Sequence, residues 1–219
     1  MTTGSGAPTA ELPSDLRRRA RMVRDQLADC PDQRVVAAMA ALPRHAFVPA
    51  GLRASAYDDT PLAIGCGQTI SQPRLVARML ALLDLRPGMT VLDVGAGSGY
   101  AAALIAALVG PTGRVVAVER QGDLVAATRQ VLAVHAPTVE LIHGDAQEAA
   151  AGQLFSAIHV ACAWAAIPQA LLARLASGGV LIAPAGDQDD GQRLMRCRQG
   201  LPPEVLEEVL FVKGLPGVN

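Results

Sequence analysis

Val91-Leu92-Asp93-Val94-Gly95-Ala96-Gly97-Ser98-Gly99-Tyr100 is a short apolar run that breaks into three alternate glycines and resumes as an apolar, alanine-rich segment. Thr90 to Val94 reads as a strand buried on both faces and Tyr100 to Val109 as a helix. The turn between them must be tight and must let a ligand approach the backbone, which glycine permits. The same alternation repeats downstream. Val115 to Glu119 reads as a strand, Leu124 to His135 as a helix, and Val139 to His143 and Ala157 to Cys162 as further strands. Pro168 to Ala176 reads as a helix and Val180 to Pro184 as a strand entered through Gly178-Gly179. Apolar strands separated by helices require crossover connections, and the expected fold is a doubly wound, mostly parallel α/β sheet. Leu194 to Val212 reads as two antiparallel strands, with Glu204 to Leu210 fitting either a strand or a helix.

Upstream of the glycine turn the pattern differs. Leu16, Met22, Val23 and Leu27, then Val35, Val36, Met39 and Leu42, recur at helical intervals with Pro31 and Pro43 as punctuation, so two helices are expected. Residues 43 to 73 lack a regular period and are rich in turn formers. A loop of that length inside a compact domain is more often functional than idle. Leu75, Val76, Met79, Leu80, Leu82 and Leu83 mark a helix after Pro73, stopped near Pro87-Gly88. The resulting division is a loose tail over 1–13, a helical and substrate-loop extension over 14–73, and the α/β core over 74–219.

With 219 residues, 51% of them hydrophobic and 18% charged, the chain has ample material for one continuous core and too little charge for disorder. The longest wholly apolar stretch, Ala101 to Val109, is far shorter than the roughly 20 residues that a membrane helix needs. The polar start, Met1 to Pro13, does not read as a secretory signal, so a cytoplasmic protein with no membrane partner is expected. Cys30, Cys66, Cys162 and Cys197 are too widely spaced for any CxxC motif, and His45, His135, His143 and His159 show no metal-ligand spacing. No metal site is expected. Net charge is −1, and 18 of the 19 basic residues are arginine with Lys213 the exception. The Arg17 to Arg24 cluster reads as a solvated helix face, and with 3% aromatic residues no base-stacking set exists, so no nucleic-acid partner is expected.

The glycine spacing bears on the cofactor. A dinucleotide fingerprint, GxGxxG, would place its third glycine at position 100, which is tyrosine; Gly95, Gly97 and Gly99 form GxGxG instead. Asp93, two positions ahead, would face an anionic pyrophosphate poorly and a cationic group well. This favours S-adenosylmethionine, with its sulfonium and ammonium charges, over NAD, although neither pattern decides alone. Glu119 ends the next strand, where a carboxylate can accept both ribose hydroxyls. Asp145 follows the strand after that, where its carboxylate can meet an adenine amino group. Glu119 and Asp145 also suit ordinary caps of the helices that follow them.

Three strings upstream make the chain recognisable: Pro43-Arg44-His45-Ala46-Phe47-Val48-Pro49, Ala56-Tyr57-Asp58-Asp59 and Gly67-Gln68-Thr69-Ile70-Ser71-Gln72-Pro73. With the glycine loop they resemble the protein-L-isoaspartate (D-aspartate) O-methyltransferase family, from about Arg21 to about Pro184. The resemblance implies a class I, Rossmann-like, S-adenosylmethionine-dependent methyltransferase fold with an N-terminal helical extension. It also implies methyl transfer to the free α-carboxylate of L-isoaspartyl residues, and with them D-aspartyl residues, in damaged proteins or peptides. It gives Ser71 a place at the reacting centre, and cofactor contacts to Thr69, Ile70, Ser71, Gly95, Ala96, Gly97, Ser98, Gly99, Glu119, Asp145 and Ala146. A hydroxyl at Ser71 suits orientation of a carboxylate, yet it equally suits the cap of a helix beginning at Pro73. A monomer is expected.

Departures from the family's pattern fall on the substrate side. Ala163-Trp164-Ala165-Ala166-Ile167-Pro168 places the only tryptophan at a strand's C-terminal edge, where it either walls a peptide cleft or packs beneath a neighbouring loop. Ser156 stands where the family carries an acid, and Phe211 to Leu215 match its ending loosely. Two other readings stay open: a methyltransferase of the same fold acting on aspartate in a dedicated peptide, and a catalytically silent adenosyl-binding scaffold. Retention of Ser71, Asp93, Glu119 and Asp145 argues against the silent scaffold.

Overall fold

A computed structural model describes residues 11–187 and 191–219. Residues 1–10 of the expected tail lie outside the described residues. Helix α1 (Pro13–Gln26) carries proline in its first turn, where the missing N–H costs nothing. Helix α2 (Gln33–Ala41) is capped by the Asp32 side chain, which accepts from the Arg34 amide at 2.9 Å. Two 3₁₀ turns, Arg44–Phe47 and Ala50–Ser55, lead to a hairpin of β1 (Leu62–Gly65) and β2 (Gln68–Ile70). This hairpin corrects the reading of 43–73 as a stretch without regular structure. Its strands are three and four residues long, too short for an alternating pattern to stand out.

Helix α3 (Pro73–Leu82) precedes the core proper: β3 (Thr90–Val94), α4 (Tyr100–Val109), β4 (Arg114–Glu119), α5 (Gly122–His135) and β5 (Val139–His143). Then follow β6 (Phe155–Val160), α6 (Gln169–Leu172), β7 (Leu175–Asp187), β8 (Gly191–Arg198) and β9 (Glu204–Val209). The seven-stranded sheet has the order β5-β4-β3-β6-β7-β8-β9, parallel from β5 through β7 and antiparallel from β7 to β9. The chain order reverses at β3, whose neighbours β4 and β6 leave a crevice at their C-terminal ends.

Side chains alternate across the strands, and each face has its own core. Val91, Val115 and Ala117 pack with Met22, Met39, Leu80 and Leu104 from the N-terminal helices and α4, whereas Leu92, Val116 and Ile158 pack with Phe155 and Leu171. The N-terminal extension therefore shares its core with the sheet. Phe47 meets the Tyr100 ring edge-on at 5.3 Å between centroids, seating the first 3₁₀ turn on α4.

Three expected boundaries move. The helix expected over Pro168 to Ala176 shortens to α6, because the Arg174 carbonyl accepts from Phe155 N–H at 2.8 Å and Leu175 already pairs with Phe155 of β6. Sheet pairing takes residues that helical periodicity would have claimed. Strand β7 consequently starts at Leu175 and runs through Gly178-Gly179, with the register shifting there. The strand expected over Ala157 to Cys162 begins at Phe155 and ends at Val160. Glu204 to Val209 is a strand, since it pairs with β8.

Asp15 is 1% exposed and anchors α1 to the second 3₁₀ turn: its Oδ2 accepts from Arg53 Nε at 3.0 Å and Nη2 at 2.5 Å. These bonds outweigh burial and hold the carboxyl below its ordinary value of 3.8. A depressed folded value means that the pair stabilises the fold above the unfolded pKa and loses that contribution as pH falls through the folded one. Asp15→Asn should cost about 1.5–3 kcal/mol at neutral pH. In urea melts followed across pH, the gap to the unsubstituted protein should close below about pH 3.8. A gap that persists at low pH would show that packing, and not the charge, is what Asn loses.

Candidate active site

The crevice at the reversal point is lined by three groups of residues from distant parts of the chain. Thr69 and Ile70 end β2 and Ser71 follows them; Gly95, Ala96, Gly97 and Ser98 form the turn after β3; Glu119, Asp145 and Ala146 lie at the ends of β4 and β5. Trp164, beyond β6, lines the same cavity. Gly99 stands behind the wall as the N-cap of α4 with φ +83°. A Cβ there would lie 2.8 Å from Thr128 Cγ2 and 3.1 Å from Leu132 Cγ, so this glycine lets α5 close against the turn. A Cβ at Gly97, φ +53°, would meet Ile64 Cδ1 at 3.1 Å, which shows how closely the hairpin covers the loop.

The acids occupy distinct positions. Glu119 Oε2 accepts from Gly97 N–H at 2.9 Å and Oε1 from Gln121 N–H at 2.9 Å. It thus holds the glycine turn to Gln121, the N-cap residue of α5, and does not itself cap that helix. A carboxylate offers about four acceptor sites, so two remain for hydroxyl donors. Asp145 Oδ1 accepts from Gln147 N–H at 2.8 Å and Oδ2 from Gly217 N–H at 2.6 Å. Asp93 is fully buried and not part of the cavity wall. Its Oδ1 pairs with His159 Nδ1 at 2.6 Å, while Oδ2 and His159 Nε2 have no hydrogen-bond partner among the described residues. His159, 3% exposed, does line the cavity and stands between Asp93 and any ligand.

His159 and the chain's last residues escaped sequence reasoning. His159 is the register partner of Asp93 across β3 and β6, and that pairing exists only once the sheet is assembled. The terminal segment returns over the strand ends: Gly214 N–H donates to Ala163 O at 2.7 Å, Asn219 N–H to Arg120 O at 2.9 Å, and Gly122 N–H to Asn219 O at 2.8 Å. A Cβ on Gly214 would lie 2.5 Å from the Trp164 ring, so the indole packs flat against that backbone while also lining the cavity. Trp164 thus packs beneath a neighbouring loop and also lines the cavity.

Two groups of the cavity are held protonated. Burial pushes Tyr100 up to about 12, and burial together with Glu119 and Asp93 pushes the Cys162 thiol up to about 12. Both stay protonated at neutral pH. The lining suits an adenosyl sulfonium ligand: Glu119 keeps acceptor sites for hydroxyl donors, Asp145 is a second acid at the strand ends, and the buried Asp93–His159 pair backs the wall.

A doubly wound sheet with a GxGxG turn and acidic strand ends defines a class I S-adenosylmethionine-dependent methyltransferase. Residues 18–214 match the family described as Protein-L-isoaspartate(D-aspartate) O-methyltransferase (PCMT), and the chain belongs to that family. The protein-L-isoaspartate O-methyltransferase of Methylorubrum extorquens is 46% identical, covering 99% of this chain and 97% of that one. The enzyme of that name from Aeropyrum pernix is 48% identical over 72% of this chain and 62% of its own length. A Plasmodium falciparum structure described as a protein-L-isoaspartate O-methyltransferase in complex with S-adenosyl-L-homocysteine superposes with a TM-score of 0.78. It is 26% identical and covers 92% of this chain and 98% of that one.

Proposed function

We propose that this protein methylates the free α-carboxylate of L-isoaspartyl and D-aspartyl residues in damaged proteins, the step that opens their repair. The supporting observation is the convergence of Ser71 with the glycine turn and Glu119 on one cavity. Family membership supports it independently. When bound, S-adenosylmethionine supplies an electrophilic methyl group beside a cationic sulfur. Glu119 would hold the ribose hydroxyls, Asp145 and Ala146 would meet the adenine edge, and His159, backed by Asp93, would face the cationic end. Thr69 and Ile70 would flank the same ligand, with Gly95, Ala96, Gly97 and Ser98 giving it backbone access and Gly99 closing α5 behind them.

The acceptor carboxylate has a reference pKa of about 3.9 and is already ionised at neutral pH. The site needs no general base, which agrees with a cavity whose thiol and phenol stay protonated. Positioning and exclusion of water carry the rate. The Ser71 hydroxyl donates one hydrogen bond to the carboxylate and fixes its angle of approach. Trp164 and the returning terminal segment wall the peptide side. The extension over 14–73 brings Thr69, Ile70 and Ser71 to the site, and the core over 74–219 brings the glycine turn, the strand-end acids and Trp164. Four free cysteines suit a reducing compartment, and we place the protein in the cytoplasm as a monomer acting on proteins and not on nucleic acid or membrane. Among the described residues no helix is long and apolar enough to cross a membrane.

The test is transfer from methyl-labelled S-adenosylmethionine to an isoaspartyl peptide, with the label released as methanol by mild base, as an ester requires. Label that withstands base would mean a nitrogen or carbon acceptor. Ser71→Ala should slow transfer roughly tenfold, since one hydrogen bond to a charged group is lost, with affinity for S-adenosylhomocysteine nearly unchanged. An equal loss of cofactor affinity would place the serine on the cofactor side.

A further inference from the structure

Arg44 is fully buried, yet it makes no ion pair among the described residues. Its Nε donates to Ala56 O at 2.7 Å and its Nη2 to Ser71 O at 2.7 Å, while Nη1 has no hydrogen-bond partner of good geometry among the described residues. The guanidinium carbon lies 5.0 Å from the centroid of the buried Tyr100 ring, whose hydroxyl also interacts with it. Asp59 attracts it only at longer range. Taking a guanidinium out of water without a carboxylate is costly, and leucine or methionine would fill such a position more cheaply. Two features distinguish Arg44 from a packing residue. Its buried fork ties the segments that enter and leave the hairpin, which at the surface are also joined by Asp59 and Arg74, and one of the two carbonyls it holds belongs to Ser71. The aromatic face against which it rests opens α4, directly after the glycine turn, and Tyr100 lines the cavity.

We propose that Arg44 is the positioning residue of the acceptor half-site: it fixes Ser71 relative to the glycine turn, and its uncompensated charge draws an anionic acceptor into the cavity. This rests on the carboxylate-methylation reading above. A carbonyl pinned at Ser71 fixes the Cα and hence where the hydroxyl stands, and displacement by a fraction of an ångström is felt in the rate of an in-line transfer. The charge acts differently. The acceptor is an anion when it binds and loses that charge as the ester forms, so a nearby cation assists binding more than the transfer step. Geometry and charge therefore separate into kcat and KM.

The test compares Arg44→Lys and Arg44→Met at a temperature where circular dichroism shows both folded, with an isoaspartyl peptide as acceptor. Lysine keeps the charge without the two-pronged fork. It should lower kcat about tenfold and leave KM within about twofold. Methionine should lower kcat similarly and raise KM about tenfold as well. Variants that melt earlier but keep both constants would overturn the proposal and leave Arg44 as a packing residue. If neither variant folds, the unsubstituted protein decides. In its complex with S-adenosylhomocysteine, the Arg44 Nε–Hε resonance should shift on saturation with the isoaspartyl peptide, and a resonance that does not move overturns the proposal. No turnover by the unsubstituted protein would sink the carboxylate reading itself and this role with it. Normal turnover with unaffected variants would sink only the role of Arg44.

Discussion

An isoaspartyl peptide should be methylated with a kcat/KM on the order of a hundredfold above that of its aspartyl counterpart of identical sequence. In the isoaspartyl linkage the chain runs through the former side chain, and the free carboxylate hangs directly from the Cα. An ordinary aspartyl carboxylate stands one methylene further out. A site that holds the carboxylate through Ser71, on a backbone pinned between the hairpin and α4, accepts one of these distances and not both. Because both acceptors are equally ionised at neutral pH, acidity cannot produce the difference; only position can. The proposed peptide walls have little room to adapt: Trp164 packs against Gly214 of the terminal segment, and its neighbour Ala163 donates to Val212 O at 2.9 Å and accepts from Gly214 N–H at 2.7 Å. Initial rates on a matched peptide pair provide the measurement. Equal rates would remove the repair assignment while leaving a carboxyl methyltransferase. Labelling of neither peptide, despite tight cofactor binding, would point to a dedicated peptide substrate or to a silent scaffold.

Glu119→Ala should weaken S-adenosylhomocysteine binding by about 1.5–3 kcal/mol, roughly ten- to 150-fold in Kd. Two contributions add. The variant loses the acceptor for the ribose hydroxyls, and it releases the Gly97 and Gln121 amides that the carboxylate holds at 2.9 Å, loosening the turn that the cofactor must meet. Glu119→Gln should not restore full affinity. Both oxygens accept from backbone N–H groups, and an amide nitrogen in place of one of them faces a donor with a donor. Calorimetry reads all three proteins directly. Unchanged affinity in the alanine variant would mean that the ribose is held elsewhere and that Glu119 serves the loop alone.

The core strands and helices were legible because their pattern is local. Thr90–Val94 and Tyr100–Val109 occupy the residues that their apolar runs mark, since a two-sided strand or a buried helix leaves its period in the sequence itself, and Val139–His143, a half-exposed edge strand, is marked by the turn formers that flank it. The glycine turn and the acids after it were legible for the same reason: the topology of a doubly wound sheet carries successive strand ends to one crevice, so Glu119 and Asp145 needed no distance to be grouped. What tertiary structure alone decided is every relation between residues far apart in the chain. Asp93 meets His159 because β3 and β6 are neighbours in a particular register, and the pair turns a carboxylate expected on the wall into one shielded behind an imidazole. The short helix α6 yields to β7 because Phe155 claims its backbone, a competition that periodicity cannot register. Gly217 reaches Asp145, and Arg44 reaches Ser71, across separations of 72 and 27 residues. Side-chain periodicity reports whether a residue is buried; it carries no information on which buried or strand-end partner it will meet, because that depends on strand order and register summed over the whole chain.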